Sequence, residues 1–147
     1  MSQLKTSRVT QLPDDIDALL QPATSEGFRF LNRLVQDYSA GINCFDQPGE
    51  ALYVIRRNED LIAIGGINVE SSISDRRLGR IRRLYVHPDE RRGGIGRLLM
   101  TEIEKHATEC FDTLQLFTDT TDASNFYCRL GYQLVTGDTV SHVKHLR

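Results

Sequence analysis

The segment that most restricts how this chain can fold is an apolar strand pattern followed by a glycine-rich loop and a helix. The strand pattern spans Arg80 to His87, and the loop Arg91-Arg-Gly-Gly-Ile-Gly96 leads into a helical pattern from Gly94 to Glu109. A helix N-terminus presents unpaired N–H groups and partial positive charge, and glycines let a ligand come close to them. The segment therefore predicts an anion-binding loop suited to a diphosphate, or simply a tight strand-to-helix turn.

The familiar nucleotide-binding motifs do not fit this loop. A P-loop needs Lys followed by Ser or Thr after its glycines, and the dinucleotide fingerprint needs a third glycine where Leu99 stands. The sequence also has no HExxH motif, no nucleophile elbow and no paired metal-ligand cluster. Its three cysteines, Cys44, Cys110 and Cys128, have no CxxC spacing. We therefore predict neither a bound metal nor a disulfide framework.

Periodicity along the chain predicts a mixed sheet flanked by helices. Helical spacing covers residues 13–20, 25–38, 94–109 and 122–130, whereas strand patterns cover residues 51–57, 61–69, 80–87, 114–118, 132–135 and 140–146. Ser25 is the expected N-cap of the second helix. Gly65-Gly66 interrupts a strand pattern, which indicates a β-bulge or the close approach of another group. The order ααβββαβαββ predicts an α/β fold in one domain over residues 1–147.

Composition and charge narrow the class of protein. The 147 residues are 39% hydrophobic and 26% charged with a net charge of −2, and no run approaches the ~20 apolar residues of a membrane span. The N-terminus lacks the apolar run of a secretory signal, so we expect a cytoplasmic protein without a membrane partner. Residues 76–97 hold eight arginines and two acids, whereas residues 14–75 hold eleven acids and four arginines. Because the pI is near 6.1 and the arginines lack interleaved surface aromatics, we expect an anionic ligand or a solvated face rather than nucleic acid.

Two motifs together resemble the GCN5-related N-acetyltransferases, the GNAT superfamily. Arg91-Arg-Gly-Gly-Ile-Gly96 matches the signature Arg/Gln-x-x-Gly-x-Gly/Ala, and the run from Ala123 through Phe126-Tyr127 to Gly131-Tyr132 resembles Ala-x-x-Phe-Tyr-x-x-x-Gly-Phe. The order of elements agrees over nearly the whole chain. The resemblance implies the GNAT acyl-CoA N-acyltransferase fold, a central mixed sheet with splayed parallel strands flanked by helices.

The resemblance also implies that acetyl-coenzyme A binds between the strands at residues 80–87 and 114–118. The diphosphate would lie on the N–H groups of residues 92–97, the pantetheine arm would pair with the backbone of residues 84–86, and arginines would add charge. Thr120 corresponds to the family's helix-opening Asn. The cofactor-binding residues implied in this way are Leu84, Tyr85, Val86, Arg91, Arg92, Gly93, Gly94, Ile95, Gly96, Arg97, Thr120, Tyr127 and Arg129.

Catalytic roles follow from the same resemblance, with one departure. Tyr127 corresponds to the family tyrosine near the sulfur, and a phenol with a pKa near 10 can protonate a thiolate. The N–H group of Val86 would polarise the thioester carbonyl. Many family members carry Glu where this chain has Arg80, which cannot accept a proton. Glu70 is the substitute base, through water, unless it only pairs with Arg80 or Arg82 or is simply solvated. His87 and His142 are weaker candidates.

The acceptor is expected beside the first two helices, because the cofactor would occupy the other side of the split sheet. The acidic balance of this half favours a cationic amine, whereas Arg29 and Arg33 would equally suit a carboxylate, and the sequence does not choose between them. Core packing is the alternative role for the aromatic residues. The candidate acceptor-binding residues are Phe28, Arg33, Tyr38 and Asn43.

We therefore predict an N-acetyltransferase that moves acetyl from acetyl-coenzyme A to an amine of a small molecule or peptide by direct attack. A covalent acyl-enzyme is not expected, since Cys128 lacks an evident adjacent base. Because Arg80 replaces the glutamate, a non-catalytic acyl-CoA-binding or sensing domain is the main alternative. An arginine-rich nucleic-acid binder is a third. Dimers are common in the family, so a homodimer is the expected assembly.

Overall fold

The computed structural model describes residues 3–70 and 77–147, so Arg76 of the arginine-rich segment and the first two residues lie outside it. The described residues form one sheet with helices packed on it. In chain order the elements are β1 (Leu4–Val9), α1 (Asp17–Ser25), α2 (Phe30–Ser39), β2 (Ala51–Arg57), β3 (Asp60–Val69), β4 (Leu78–Val86), a 3-10 turn (Pro88–Glu90), α3 (Ile95–Cys110), β5 (Thr113–Leu116), α4 (Thr121–Arg129), β6 (Gln133–Leu134) and β7 (His142–His145).

The N-terminal part differs from the predicted pattern in three ways. The helix predicted over residues 13–20 lies later in the chain, at Asp17–Ser25. β1 is a strand that the periodicity did not indicate, because its side chains are all exposed or half-buried and show no alternation. It pairs antiparallel with β2 at the edge of the sheet. The helix predicted over residues 25–38 begins only at Phe30, since Gly27 adopts a left-handed φ of 88° between the two helices. Ser25 therefore ends α1 and is not an N-cap.

The sheet has the order β1-β2-β3-β4-β5-β7-β6, and β4 and β5 are its parallel neighbours. They pair only from Leu78 opposite Thr113 to Arg80 opposite Gln115, although β4 continues to Val86. Beyond Arg80 one edge of β4 therefore has no partner strand. The prediction of a mixed sheet with splayed parallel strands is confirmed.

A β-bulge in β4 lies beside the point where the strands part. Ile64 pairs with Tyr85 and Gly66 with Arg82, so Arg83 and Leu84 both stand opposite Gly65. Arg83 takes a left-handed φ of 61°, which costs about 1–3 kcal/mol for a residue with a side chain. A Cβ at Gly65 would lie 2.6 Å from the Leu84 side chain. The glycine pair therefore marks a bulge, as predicted, although the extra residue belongs to the partner strand.

Two hydrophobic clusters cover the two faces of the sheet. On one face α3 buries the stripe predicted from its spacing, with Ile95, Leu99 and Ile103 at 2% exposure or less. On the other face α1 and α2 pack on β2, β3 and Tyr85 through Leu19, Leu31 and Leu34. Within residues 3–70 and 77–147, every helix is too short or too polar to cross a bilayer.

The second glycine of the pair, Gly66, admits the Phe45 ring to the sheet. A Cβ built there would lie 2.6 Å from a ring carbon and 2.9 Å from the Ala51 carbonyl oxygen. We expect Gly66→Ala to lower the free energy of unfolding by about 1–3 kcal/mol through overpacking. Gly93→Ala is the matched control, because its Cβ would meet only the Glu90 carbonyl oxygen, at 3.7 Å. Urea titration of both variants tests this, and equal midpoints would contradict it.

Candidate active site

An open cleft of about 1240 Å³ lies where β4 and β5 part. β4 contributes its residues from Arg80 to Val86, and the following loop and first helical turn contribute residues between Glu90 and Arg97. The end of β5, the start of α4 and the turn between α1 and α2 supply the other walls. Most of the motif residues singled out in the sequence therefore line one cavity.

A row of main-chain donors borders the cleft at the start of α3. None of the N–H groups from Arg92 to Arg97 donates a hydrogen bond of normal geometry to another described residue. Arg92 and Gly94 have left-handed φ angles of 67° and 81°, and Gly94 is the N-cap of the 16-residue helix. These donors stand at the positive end of the helix dipole, so they can hold an anion as large as a diphosphate.

The free edge of β4 offers further main-chain groups to the cleft. The N–H group of His87 bonds to the Ile62 carbonyl oxygen, 2.8 Å away, and so points towards β3. Successive residues of a strand alternate in direction, so the N–H and C=O groups of Val86 point away from β3. The Val86 carbonyl accepts a hydrogen bond from Arg91 Nε at 3.1 Å. Its N–H group is left facing the cleft, as a donor for a ligand oxygen.

Tyr127 on α4 presents its hydroxyl to the same cleft. The residue is only 6% exposed and its ring packs edge-on against Phe126 and Tyr132, with centroids 5.0 and 5.5 Å away. The described residues provide no partner for its hydroxyl, yet they contain no fully buried side-chain oxygen without a partner, so the hydroxyl opens on the cleft. Burial raises the pKa of this phenol. It is therefore a protonated, unpaired donor.

Arg91 is committed to protein groups. Its guanidinium pairs with both oxygens of Glu26 at 2.6 and 2.8 Å and lies over the Tyr85 ring, 5.4 Å from the centroid. The Tyr85 hydroxyl also donates to Glu26. The Arg91 guanidinium lowers the pKa of Glu26 below its usual range. This cluster ties the end of α1 to β4 and to the loop before α3.

Three other arginines line the cleft near the donor row, namely Arg92, Arg97 and Arg129. All three are exposed, and no acid of the described chain lies within ion-pair distance of them. Their guanidinium groups are therefore open to a phosphate, in contrast to that of Arg91. The Thr120 hydroxyl accepts from the Ala123 N–H at 3.2 Å and caps α4.

The predicted acceptor residues do not gather in one place. Phe28 lines the cleft and packs against Phe30 and Tyr85, with ring centroids 5.6 and 6.3 Å away. The Tyr38 hydroxyl donates to the Thr10 carbonyl, and the Asn43 amide pairs with that of Asn68, so both serve the loop structure. Arg33 is exposed on α2 outside the cleft lining.

Comparison with known proteins identifies the family of this chain. The family model for the acetyltransferase (GNAT) domain matches residues 48–134, which is more than half of the sequence. The chain belongs to the GNAT family. Membership supports acyl transfer, and GNAT enzymes draw the acyl group from an acyl-coenzyme A. The resemblance stated from the two motifs is confirmed.

Solved structures show the same GNAT fold. A protein from Exiguobacterium sp. 255-15, named as a candidate acetyltransferase, is 31% identical with a TM-score of 0.86, over 97% of this chain and 93% of that one. An acetyltransferase from Streptococcus agalactiae 2603 is 16% identical with a TM-score of 0.77, over 97% and 98%. The N-acetylglutamate synthase from Neisseria gonorrhoeae, solved with coenzyme A and N-acetyl-glutamate, is 17% identical with a TM-score of 0.72, over 97% and 35%. No curated protein matches this sequence.

Arg80, the residue at the GNAT glutamate position, takes part in a buried polar cluster. Arg80 Nε donates to Glu70 Oε2 at 2.7 Å, and the Gln115 amide donates to the same oxygen. Glu70 is 6% exposed, and Arg80 also donates to the Thr139 carbonyl. The structure thus shows Glu70 in an ion pair with Arg80, which the sequence analysis gave as the alternative to its role as a base. Its role as a base stays a prediction.

Sequence reasoning did not place Arg82 and Arg83 in this cleft. Both line the cleft, and the bulge turns them towards the face on which α2 packs. The Gly65-Gly66 pair predicted a bulge near these two arginines. The alternation of side chains along a regular strand, however, would have put Arg82 and Arg83 on opposite faces. In the described part of the chain, metal-ligating side chains form no cluster of three or more.

We expect His142 to make the stability of this GNAT domain depend on pH. The imidazole is 1% exposed and lies between Ser141 Oγ at 2.7 Å and Ser124 Oγ at 3.0 Å. Burial lowers the pKa of His142 from its ordinary 6.5, so the unfolded chain binds the extra proton more readily. The folded state should therefore lose stability as the pH falls below 6.5, by about 1.4 kcal/mol per pKa unit of difference.

Urea midpoints at pH 7.5, 6.5 and 5.5 measure this effect, with His142→Gln as the comparison. The wild-type midpoint should fall over this range more steeply than that of the variant. His145→Gln is the matched control, since His145 is exposed on the same strand, and it should keep the wild-type slope. Parallel slopes for wild type and His142→Gln would contradict the assignment.

Proposed function

We propose that this chain transfers the acetyl group of acetyl-coenzyme A to the amine of a small molecule or peptide by direct attack in a ternary complex. One observation carries the proposal. The unpaired donors from Arg92 to Arg97, the Val86 N–H group and the Tyr127 hydroxyl all open on a single cleft. The complex of the related N-acetylglutamate synthase with coenzyme A and N-acetyl-glutamate supports the same chemistry.

The cleft suits each part of a coenzyme A thioester. The donor row would hold the diphosphate, with Arg92 and Arg97 adding charge, and exposed Arg129 is available to a further phosphate. The free edge of β4 supplies main-chain groups for the amides of the pantetheine arm, which would extend the sheet like a strand. Arg91 acts differently from its predicted role, because its bonds to Glu26 and Val86 position the loop rather than the phosphates.

The reacting atoms would lie between β4 and α4. The Val86 N–H group would donate to the thioester carbonyl oxygen and stabilise its developing negative charge. As the amine nitrogen bonds to the carbonyl carbon and the C–S bond breaks, Tyr127 would donate its proton to the departing thiolate and regain one from solvent. Because the pKa of Tyr127 is raised by burial, the phenol stays protonated before the reaction.

The proton of the attacking amine would leave through water. Glu70 is buried and already accepts hydrogen bonds from Arg80 and Gln115. We therefore propose that it positions Arg80 beside the cleft, in place of the role as a base predicted from the sequence. An amine with a pKa near 10 costs about 4 kcal/mol to deprotonate at pH 7, and nearby guanidinium groups lower that cost. An ordered base is therefore unnecessary for slow turnover.

The donor row can be tested with two variants that differ by one main-chain N–H group. Arg97→Pro removes both the Arg97 side chain and its N–H group, whereas Arg97→Ala removes only the side chain. Proline is tolerated in the first turn of a helix, and the Arg97 N–H has no protein acceptor to lose. We expect Arg97→Pro to weaken acetyl-coenzyme A binding about tenfold more than Arg97→Ala, measured by calorimetry. Equal affinities for the two variants would contradict the donor row.

The proposed acid can be tested with a pair of matched variants. Tyr127→Phe should lower kcat about 10²-fold or more while leaving the affinity for acetyl-coenzyme A nearly unchanged. Tyr132→Phe is the control, since that buried hydroxyl donates to Glu104 at 2.8 Å and lies outside the cleft lining. Thiol release over a panel of amines measures the rate. Tight binding of acetyl-coenzyme A without turnover on any amine would instead favour the sensing domain.

A further inference from the structure

Three arginines of β4, Arg80, Arg82 and Arg83, line the side of the cleft proposed for the acceptor. Arg82 has no ion pair or hydrogen bond within the described residues, and Arg83 reaches only Asp37, at 3.8 Å. That distance is beyond an ordinary hydrogen bond. Desolvation lowers the pKa of both arginines, and a neighbouring arginine lowers each further, Arg80 for Arg82 and Arg82 for Arg83. Nearby acids oppose this shift, namely Glu70, Asp37 and Glu50 for Arg82 and Asp37 for Arg83.

The acids on this side are mostly engaged elsewhere. Glu70 is paired with Arg80, Glu26 with Arg91, and Glu50 accepts from the Gln47 and Val69 N–H groups. Among the described acids, Asp37 is the one within ion-pair distance of Arg83. Asp119 and Asp122 also line the cleft, where β5 leads into α4. An incoming cation would therefore meet arginines without free acids on β4, whereas an anion would complete their contacts.

The bulge is what brings these two guanidinium groups to one face. A regular strand would send adjacent side chains to opposite faces, but the extra residue at Arg83 turns both towards α2. Phe28, Phe30 and Tyr85 form an aromatic wall in the same cleft. Such a wall strengthens an ion pair beside it by lowering the local dielectric constant. Val86, the proposed oxyanion donor, lies four residues further along the same strand than Arg82.

We infer that the acceptor is an amine that also carries a carboxylate, held by Arg82 and Arg83 while its amine faces the thioester. This inference rests on the proposed function and names the class of its substrate. The planar guanidinium matches a carboxylate through two parallel hydrogen bonds, which a point charge would not provide. A diamine or another purely cationic amine would be a poor acceptor at the same site.

Matched acceptors test this inference directly. Thiol release from acetyl-coenzyme A is followed with glycine, β-alanine, γ-aminobutyrate and glutamate, beside the carboxamides of the first three and 1,3-diaminopropane. We expect at least one acid to exceed its carboxamide or, for glutamate, the diamine about tenfold or more in kcat/KM, and this preference should shrink as the salt concentration rises. The series of chain lengths also shows which separation of amine and carboxylate fits best.

Three variants relate the preference to Arg82. Arg82→Met should abolish the preference by raising KM for the acids about tenfold or more, with little change for the carboxamides. Arg82→Lys should restore part of it, since the charge returns without the planar fork. Arg56→Met is the control, because Arg56 forms an exposed ion pair with Asp15 outside the cleft, and it should behave as wild type. Thermal midpoints confirm that each variant is folded.

The possible failures are distinguishable. Equal or better turnover of carboxamides or the diamine would overturn the inference while leaving the proposed function in place. Absence of turnover with every acid, when calorimetry shows acetyl-coenzyme A bound, would also overturn it. Loss of acetyl-coenzyme A binding itself would defeat the proposed function and this inference together. A wild-type acid preference that survives in Arg82→Met would remove the role of Arg82.

Discussion

The short parallel pairing of β4 with β5 is the constraint on which the rest of the structure depends. Three residues of each strand pair, and beyond Arg80 the strands part. An unpaired strand edge inside a protein is costly unless something satisfies its N–H and C=O groups. Here the edge opens on a cleft that also receives the free N–H groups at the start of α3. The fold thus keeps main-chain groups available for an extended polar ligand.

The bulge in β4 connects this cleft to the acceptor side. The bulge requires a left-handed φ at Arg83. With it, two adjacent arginines lie on one face of the sheet and the Val86 N–H group points towards the cleft. The arginines of the chain differ in whether a carboxylate of the protein pairs with them. Arg80 is paired with the buried Glu70 and Arg91 with the exposed Glu26, whereas Arg82, Arg92, Arg97 and Arg129 line the cleft without an acid partner among the described residues. The arginines that form one cluster in the sequence therefore have different roles in the structure.

Much of the fold could be predicted because its helices and strands follow from local patterns in the sequence. Neighbouring residues alone predict the apolar stripe of α3, the strand patterns of β2 to β5 and the left-handed glycine before α3. The errors arose where the local signal was weak or misleading. β1 has no buried face, and Ser25 looked like a cap although Gly27 breaks the chain between two helices. In the site, Tyr38 and Asn43 carry suitable chemistry, but tertiary hydrogen bonds to Thr10 and Asn68 engage them.

By itself the sequence determined the family, the order of elements and the loop that presents its N–H groups, since these follow from motif spacing and from the periodicity of side chains along the backbone. Only the tertiary structure decided which charged groups are already paired. Glu70 meets Arg80 and Arg91 meets Glu26 across distances of ten and sixty-five residues in the chain, whereas no described acid lies within ion-pair distance of Arg82. Pairing depends on which strands and turns come together in space, and no local pattern records it.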